Sequence, residues 1–205
     1  MKNYRSAFWV NSLSLLVVVA LIVYTKVFGA SAGILFEPPM TPQNPTAGLL
    51  THTFQLLCTV PPIICTFTFA LLRAIQSPKK LNLFILYSAL ITGGFLINEI
   101  FRIHIILLRA GIPKLVTIVV YATVTLGYGL AFRRKLKSTP YILLLSGIGL
   151  LFSAIAVDSL RLSGDGFPSL LEGVPKLFSE INIALYFCYV CYGEILRSLN
   201  SSPVE

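Results

Sequence analysis

Apolar residues in this chain fall in long blocks rather than in alternation. Six blocks reach 18 residues or more, the length a helix needs to cross a hydrocarbon core of about 30 Å. They lie at roughly 8–28, 50–75, 81–105, 115–132, 140–160 and 170–194. A membrane-spanning β-barrel would show short segments of alternating polarity instead, and an unbroken apolar block satisfies its backbone only as a helix. The expected fold is all-α: a polytopic transmembrane bundle of six helices in a single domain covering 1–205. Composition agrees, with 56% hydrophobic residues across 205 positions and a mean hydropathy of +0.82.

The blocks also sort the charges. If six spans alternate across the bilayer, Lys2, Arg5, Arg73, Lys79, Lys80, Arg133, Arg134, Lys135, Lys137 and Arg197 share one side. The other side holds Arg109 and Lys114, with Lys26, Arg161 and Lys176 at span ends. With Arg102 at the outer end of the third span, ten basic residues against six satisfy the positive-inside rule, which places both termini in the cytoplasm. The net charge of +8 is then a rim facing anionic lipid rather than a nucleic-acid surface. The apolar core from Phe8 to Tyr24 exceeds the 7–15 residues of a signal-peptide core, so the first block reads as a retained anchor despite Ala30-Ser31-Ala32 after it.

Two local features interrupt the pattern. The segment 29–49 carries four prolines and is expected to be irregular, covering part of the outer mouth. Pro61-Pro62 sits inside the second block, where two missing donors predict a kink or a break. The four cysteines, Cys58, Cys65, Cys188 and Cys191, all lie within spans, which argues for small packing residues rather than a disulfide framework.

Spans three to six repeat themselves weakly. Glu99-x-x-Arg102 followed by Gly111-x-Pro113-Lys114-Leu115 is matched by Asp158-x-x-Arg161 followed by Gly173-x-Pro175-Lys176-Leu177. The expectation is two parallel helical hairpins, 81–137 and 140–197, each with an acid–arginine pair at its outer end and a proline near the start of its return helix.

The candidate chemistry sits in this layer. Charges in a membrane usually pair, line water or carry function. Glu99 with Arg102, and Asp158 with Arg161, lie three apart and can pair along a helix face. Glu172, Lys176 and Glu180 follow at four-residue intervals as one stripe, with Glu180 near mid-membrane. These seven residues, with Gln55 as a further polar wall, define the expected site: an interlocked charge network or a polar pocket open to the outer face. His52 and His104, with a carboxylate, would suit zinc or iron, although no H-E-x-x-H occurs and His104 points about 140° from Glu99 on an ideal helix. No catalytic nucleophile is legible.

The run Asn98-Glu99-x-x-Arg102-x-His104, then Ser153 with Asp158, then Leu171-Glu172-Gly173-x-Pro175-Lys176-Leu177, resembles a broad group of uncharacterised bacterial polytopic membrane proteins. The resemblance covers spans three to six and implies a multi-helix fold in a bacterial inner membrane with no established activity. Membrane hydrolases of the alkaline ceramidase type also gather histidine and aspartate near one face, but their multi-histidine pattern is absent here. The leading expectation is a binding protein: its outer polar pocket takes a partner subunit (or a second copy of the chain), a lipid headgroup or a small amphiphile. The alternatives are a metal-dependent hydrolase using His52 and His104, and a proton-coupled carrier using Glu180.

Overall fold

The structure, a computed structural model, describes residues 2–36, 46–75, 79–160 and 166–201. All regular elements among them are helical: α1 (Lys2–Val27), a short 3-10 helix (Ala32–Leu35), α2 (Leu49–Ala74), α3 (Lys79–Phe101), α4 (Ile103–Arg109), α5 (Lys114–Ala131), α6 (Arg133–Lys137), α7 (Tyr141–Ser159) and α8 (Phe167–Ser201). Five of them, α1, α2, α3, α5 and α7, are long and apolar enough to cross a membrane. The 35 residues of α8 would span about 52 Å, but Glu172, Lys176, Glu180, Glu194 and Arg197 along it set it apart from those five.

The helices depart from the sequence pattern in three places. First, α2 runs as one helix with Pro61 and Pro62 inside it. Of the kink or break expected there, the break does not occur; Pro61 is fully buried, and packing holds the helix together where hydrogen bonding is lost. Second, the expected span 81–105 is divided at Arg102, which adopts φ 49°, ψ 45°. Third, α8 begins at Phe167, ahead of the apolar run, so Pro175 lies well inside it. Pro113 instead sits immediately before α5 as its cap residue. The two Gly-x-Pro-Lys runs therefore occupy different helical positions.

The chain divides into two compact units: residues 1–57 with 142–185, and residues 58–141 with 186–205. In the first, Asn11 of α1 and Asn182 of α8 exchange amide hydrogen bonds at 3.2 and 3.1 Å. Within apolar helices such a pair stabilises by roughly 0.6 kcal/mol, more where competing partners are scarce. The rest of α1 is largely exposed, with Leu13, Leu16, Phe8 and Trp9 all above 60%, a surface suited to hydrocarbon rather than water.

The second unit is organised by aromatic rings. Phe84 of α3 stacks on Tyr128 of α5 at 5.8 Å, and Phe132 meets Phe84 edge-on at 5.5 Å. The Tyr128 hydroxyl shares a 2.6 Å hydrogen bond with Ser88, and Tyr121 donates to the Gly94 carbonyl at 3.1 Å. Each phenol thus keeps a polar partner while its ring fills the core.

Candidate functional site

The site is built where α1 ends. Gly29 adopts φ +72°, which a glycine reaches without steric cost. Its N–H donates to the Lys26 carbonyl at 3.1 Å and the Ala30 N–H reaches the Thr25 carbonyl at 2.9 Å, the paired bonds of a Schellman end. This reversal leaves Lys26 on the last turn and sends the chain through Gly29-Ala30-Ser31-Ala32. Ser31 then caps the 3-10 helix, its hydroxyl accepting from the Gly33 N–H at 3.3 Å.

Gly166, at φ +75°, presses against this cap immediately before α8: a methyl group there would collide with Ser31 Oγ and with Gly33 N at 2.7 Å. Only a residue without a side chain lets the two backbones approach so closely. An open cavity of about 440 Å³ results, lined by Lys26, Gly29, Ala30, Ser31, Ala32, Gly166, Phe167 and Leu170, within the range typical of small-molecule pockets. Lys26 is the only titratable side chain among the described residues lining it. Around it, Gly48 N–H bonds the Ile34 carbonyl at 2.8 Å and Thr51 Oγ1 donates to the Phe36 carbonyl at 2.9 Å, tying the start of α2 to the 3-10 helix.

The sequence-derived residues are distributed as follows. In the first unit, Glu172 and Lys176 form a loose pair at 3.9 Å, both partly exposed. The Lys176 ammonium lies 5.5 Å from the centre of the Phe54 ring. Glu180 is buried, at 3% exposure, Asp158 and Gln55 are half-buried, and His52 is exposed. Arg161 lies outside the described residues.

In the second unit, Arg102 is exposed and Glu99 and His104 are half-buried. The left-handed Arg102 breaks the helix between Glu99 and the following turn. The side chain of Asn98, buried at 6%, accepts from the His104 N–H at 3.2 Å across that break. The Asn98-to-His104 run thus builds the α3–α4 joint. Among the described residues, no group of three or more His, Cys, Asp or Glu side chains is placed to hold a metal ion.

Two polar centres escaped the sequence reading. Lys26 looked like a span-end charge; only the turn at Gly29 and the approach of Gly166 make it line a cavity. The other is Glu194. Its carboxylate is 5% exposed and meets Lys135 Nζ at 2.8 Å and Arg197 Nη1 at 2.9 Å. Arg197 is three residues away on the same helix, a signal the sequence offered. Lys135 is 59 residues away, on α6, and no local pattern announces it.

No curated protein and no solved structure matches the chain. The sequence pattern described as a domain of unknown function (DUF8692) matches residues 12–191, from the first apolar helix to Cys191 of α8, and the chain belongs to that family.

Proposed function

We propose that this is a six-helix membrane protein whose cavity at the end of α1 holds the anionic head of a lipid or small amphiphile. In this reading α8 joins α1, α2, α3, α5 and α7 in crossing the bilayer, both termini are cytoplasmic, and the cavity opens on the opposite side. The basic residues flanking the spans support that orientation, and the duplication of 81–137 in 140–197 rests on the sequence match. The observation that carries the binding role is the cavity's lining. A single ammonium, Lys26, stands among small residues, with Phe167 and Leu170 beside it. Such a pocket suits a ligand that carries negative charge at one end and a short apolar stem at the other.

The test is lipid analysis of the purified chain. The unaltered protein is expected to retain an anionic amphiphile near one per chain through detergent exchange. Lys26→Glu should lower that retention severalfold, and Lys137→Ala should leave it unchanged. Equal retention by all three proteins, or retention of zwitterionic lipid alone, refutes the reading.

A further inference from the structure

The core of the second unit holds chemistry that the cavity does not use. Cys65 of α2 and Cys191 of α8, 126 residues apart, bring their sulfurs to 3.9 Å. Both are buried, at 0% and 2% exposure, and both are free thiols. The Thr68 hydroxyl hydrogen-bonds the Cys191 sulfur, and Glu194 lies within electrostatic reach of it. Cys188, half-exposed on the same helix, is close enough to Cys65 to be felt electrostatically.

We propose that Cys65 and Cys191 form a two-thiolate site for a soft monovalent metal ion, of which Cu(I) is the biological representative. Metal–sulfur bonds of about 2.3 Å would join sulfurs at this separation with a bond angle of about 116° at the metal. Widening the pair by roughly 0.7 Å gives the linear geometry that two-coordinate Cu(I) prefers. Zinc and iron require more donors than two thiolates, and no third metal-binding side chain joins the pair among the described residues. Thiolate softness therefore selects the coinage ion.

The charges also fit. The ion replaces two protons, M⁺ + 2 RSH → [RS–M–SR]⁻ + 2 H⁺, leaving one net negative charge. Next to it, Glu194 is opposed by both Lys135 and Arg197, which leaves one positive charge in excess. Thr68 is placed to donate a hydrogen bond to a Cys191 thiolate and steady it, as outer-shell donors do at metal sites. Cys188 supplies a half-exposed thiol through which an ion can be handed inward.

The experiment uses the full chain in detergent, reduced and free of oxygen, titrated with Cu(I) against a chromophoric Cu(I) chelator and separately with Ag(I) as a redox-inert probe. One ion per chain is expected to bind. Binding should vanish in Cys65→Ser and Cys191→Ser, persist in Cys58→Ser, and weaken about tenfold in Thr68→Val.

A readout on the unaltered chain covers the case in which a variant fails to fold. After Ag(I) loading, Cys65 and Cys191 should alkylate more slowly than in the metal-free chain, while the rate at Cys58, equally buried, stays the same. Rates at Cys65 and Cys191 that Ag(I) leaves unchanged overturn the proposal. So does undiminished binding in both Cys65→Ser and Cys191→Ser. A Cys65–Cys191 disulfide formed in air, with no Ag(I) uptake by the reduced chain, overturns it in favour of a covalent tie.

Discussion

Two acid–base clusters on the same helix behave differently. Glu172 and Lys176, one turn apart on α8, stand 3.9 Å from each other with side chains 36% and 28% exposed. Glu194, further along, is 5% exposed and grips two cations at 2.8 and 2.9 Å. The first pair follows from sequence spacing alone and contributes little: an exposed helical ion pair stabilises by about 0.3–0.5 kcal/mol. The second depends on α6 delivering Lys135 from another part of the chain, and low exposure multiplies the strength of each contact. Spacing locates charges that can meet, and burial decides which meetings matter.

The largest effect that follows is at Glu194. Removing its carboxylate strands two cations at a nearly closed position. Glu194→Ala should lower stability by about 2–3 kcal/mol, the figure being held down because Lys135 and Arg197 are 29% and 64% exposed and regain some hydration. At this chain length each kcal/mol shifts a melting midpoint by about 2–4 °C, so thermal unfolding in detergent can read it. A shift no larger than that of a surface substitution would mean the cluster is not a fastening point.

The next test separates the two cations. Lys135 arrives from α6 and is the better buried partner, so Lys135→Ala should cost about 1–2 kcal/mol. Arg197 is mostly in solvent, and Arg197→Ala should cost below about 0.5 kcal/mol. If the two costs came out equal or reversed, proximity along the helix rather than burial would govern the cluster.

This contrast explains what the sequence could reveal. Apolar blocks such as Phe8–Tyr24 carry their own signature, because a helix that crosses hydrocarbon needs no information from elsewhere in the chain. α8 starts at Phe167, ahead of the apolar block at 170–194, because the helix extends into Phe167-Pro168-Ser169, where proline suits a first turn. At Pro61-Pro62 local donor loss predicts a kink or a break, and the packing that encloses Pro61 keeps the helix continuous. The division at Arg102 had no local warning, since arginine does not favour φ 49°; Asn98 reaching His104 across the joint is a contact that only folding creates. Lys26 followed the same logic. Its charge was visible, but the cavity beside it depends on Gly166 meeting Ser31 from a point far along the chain. Residues chosen by type were therefore findable, while residues chosen by long-range approach were not.

The smallest expected effect lies at Glu172, and it sharpens the comparison most. Glu172→Gln keeps the side chain's size and removes only its charge. With Lys176 still over the Phe54 ring at 5.5 Å, that ammonium retains a partner worth about 0.5–1 kcal/mol at a partly exposed site. The net change should stay below about 0.5 kcal/mol and shrink further as salt is raised, because screening acts on exposed charges. Glu194→Ala should respond to salt much less. Measuring both proteins at low and high ionic strength thus distinguishes a solvated stripe from an enclosed cluster even if their absolute stabilities prove similar. A salt-insensitive loss at Glu172 would show that its pair is shielded from water, and the distinction between the two ends of α8 would then have to rest on partner number rather than on burial.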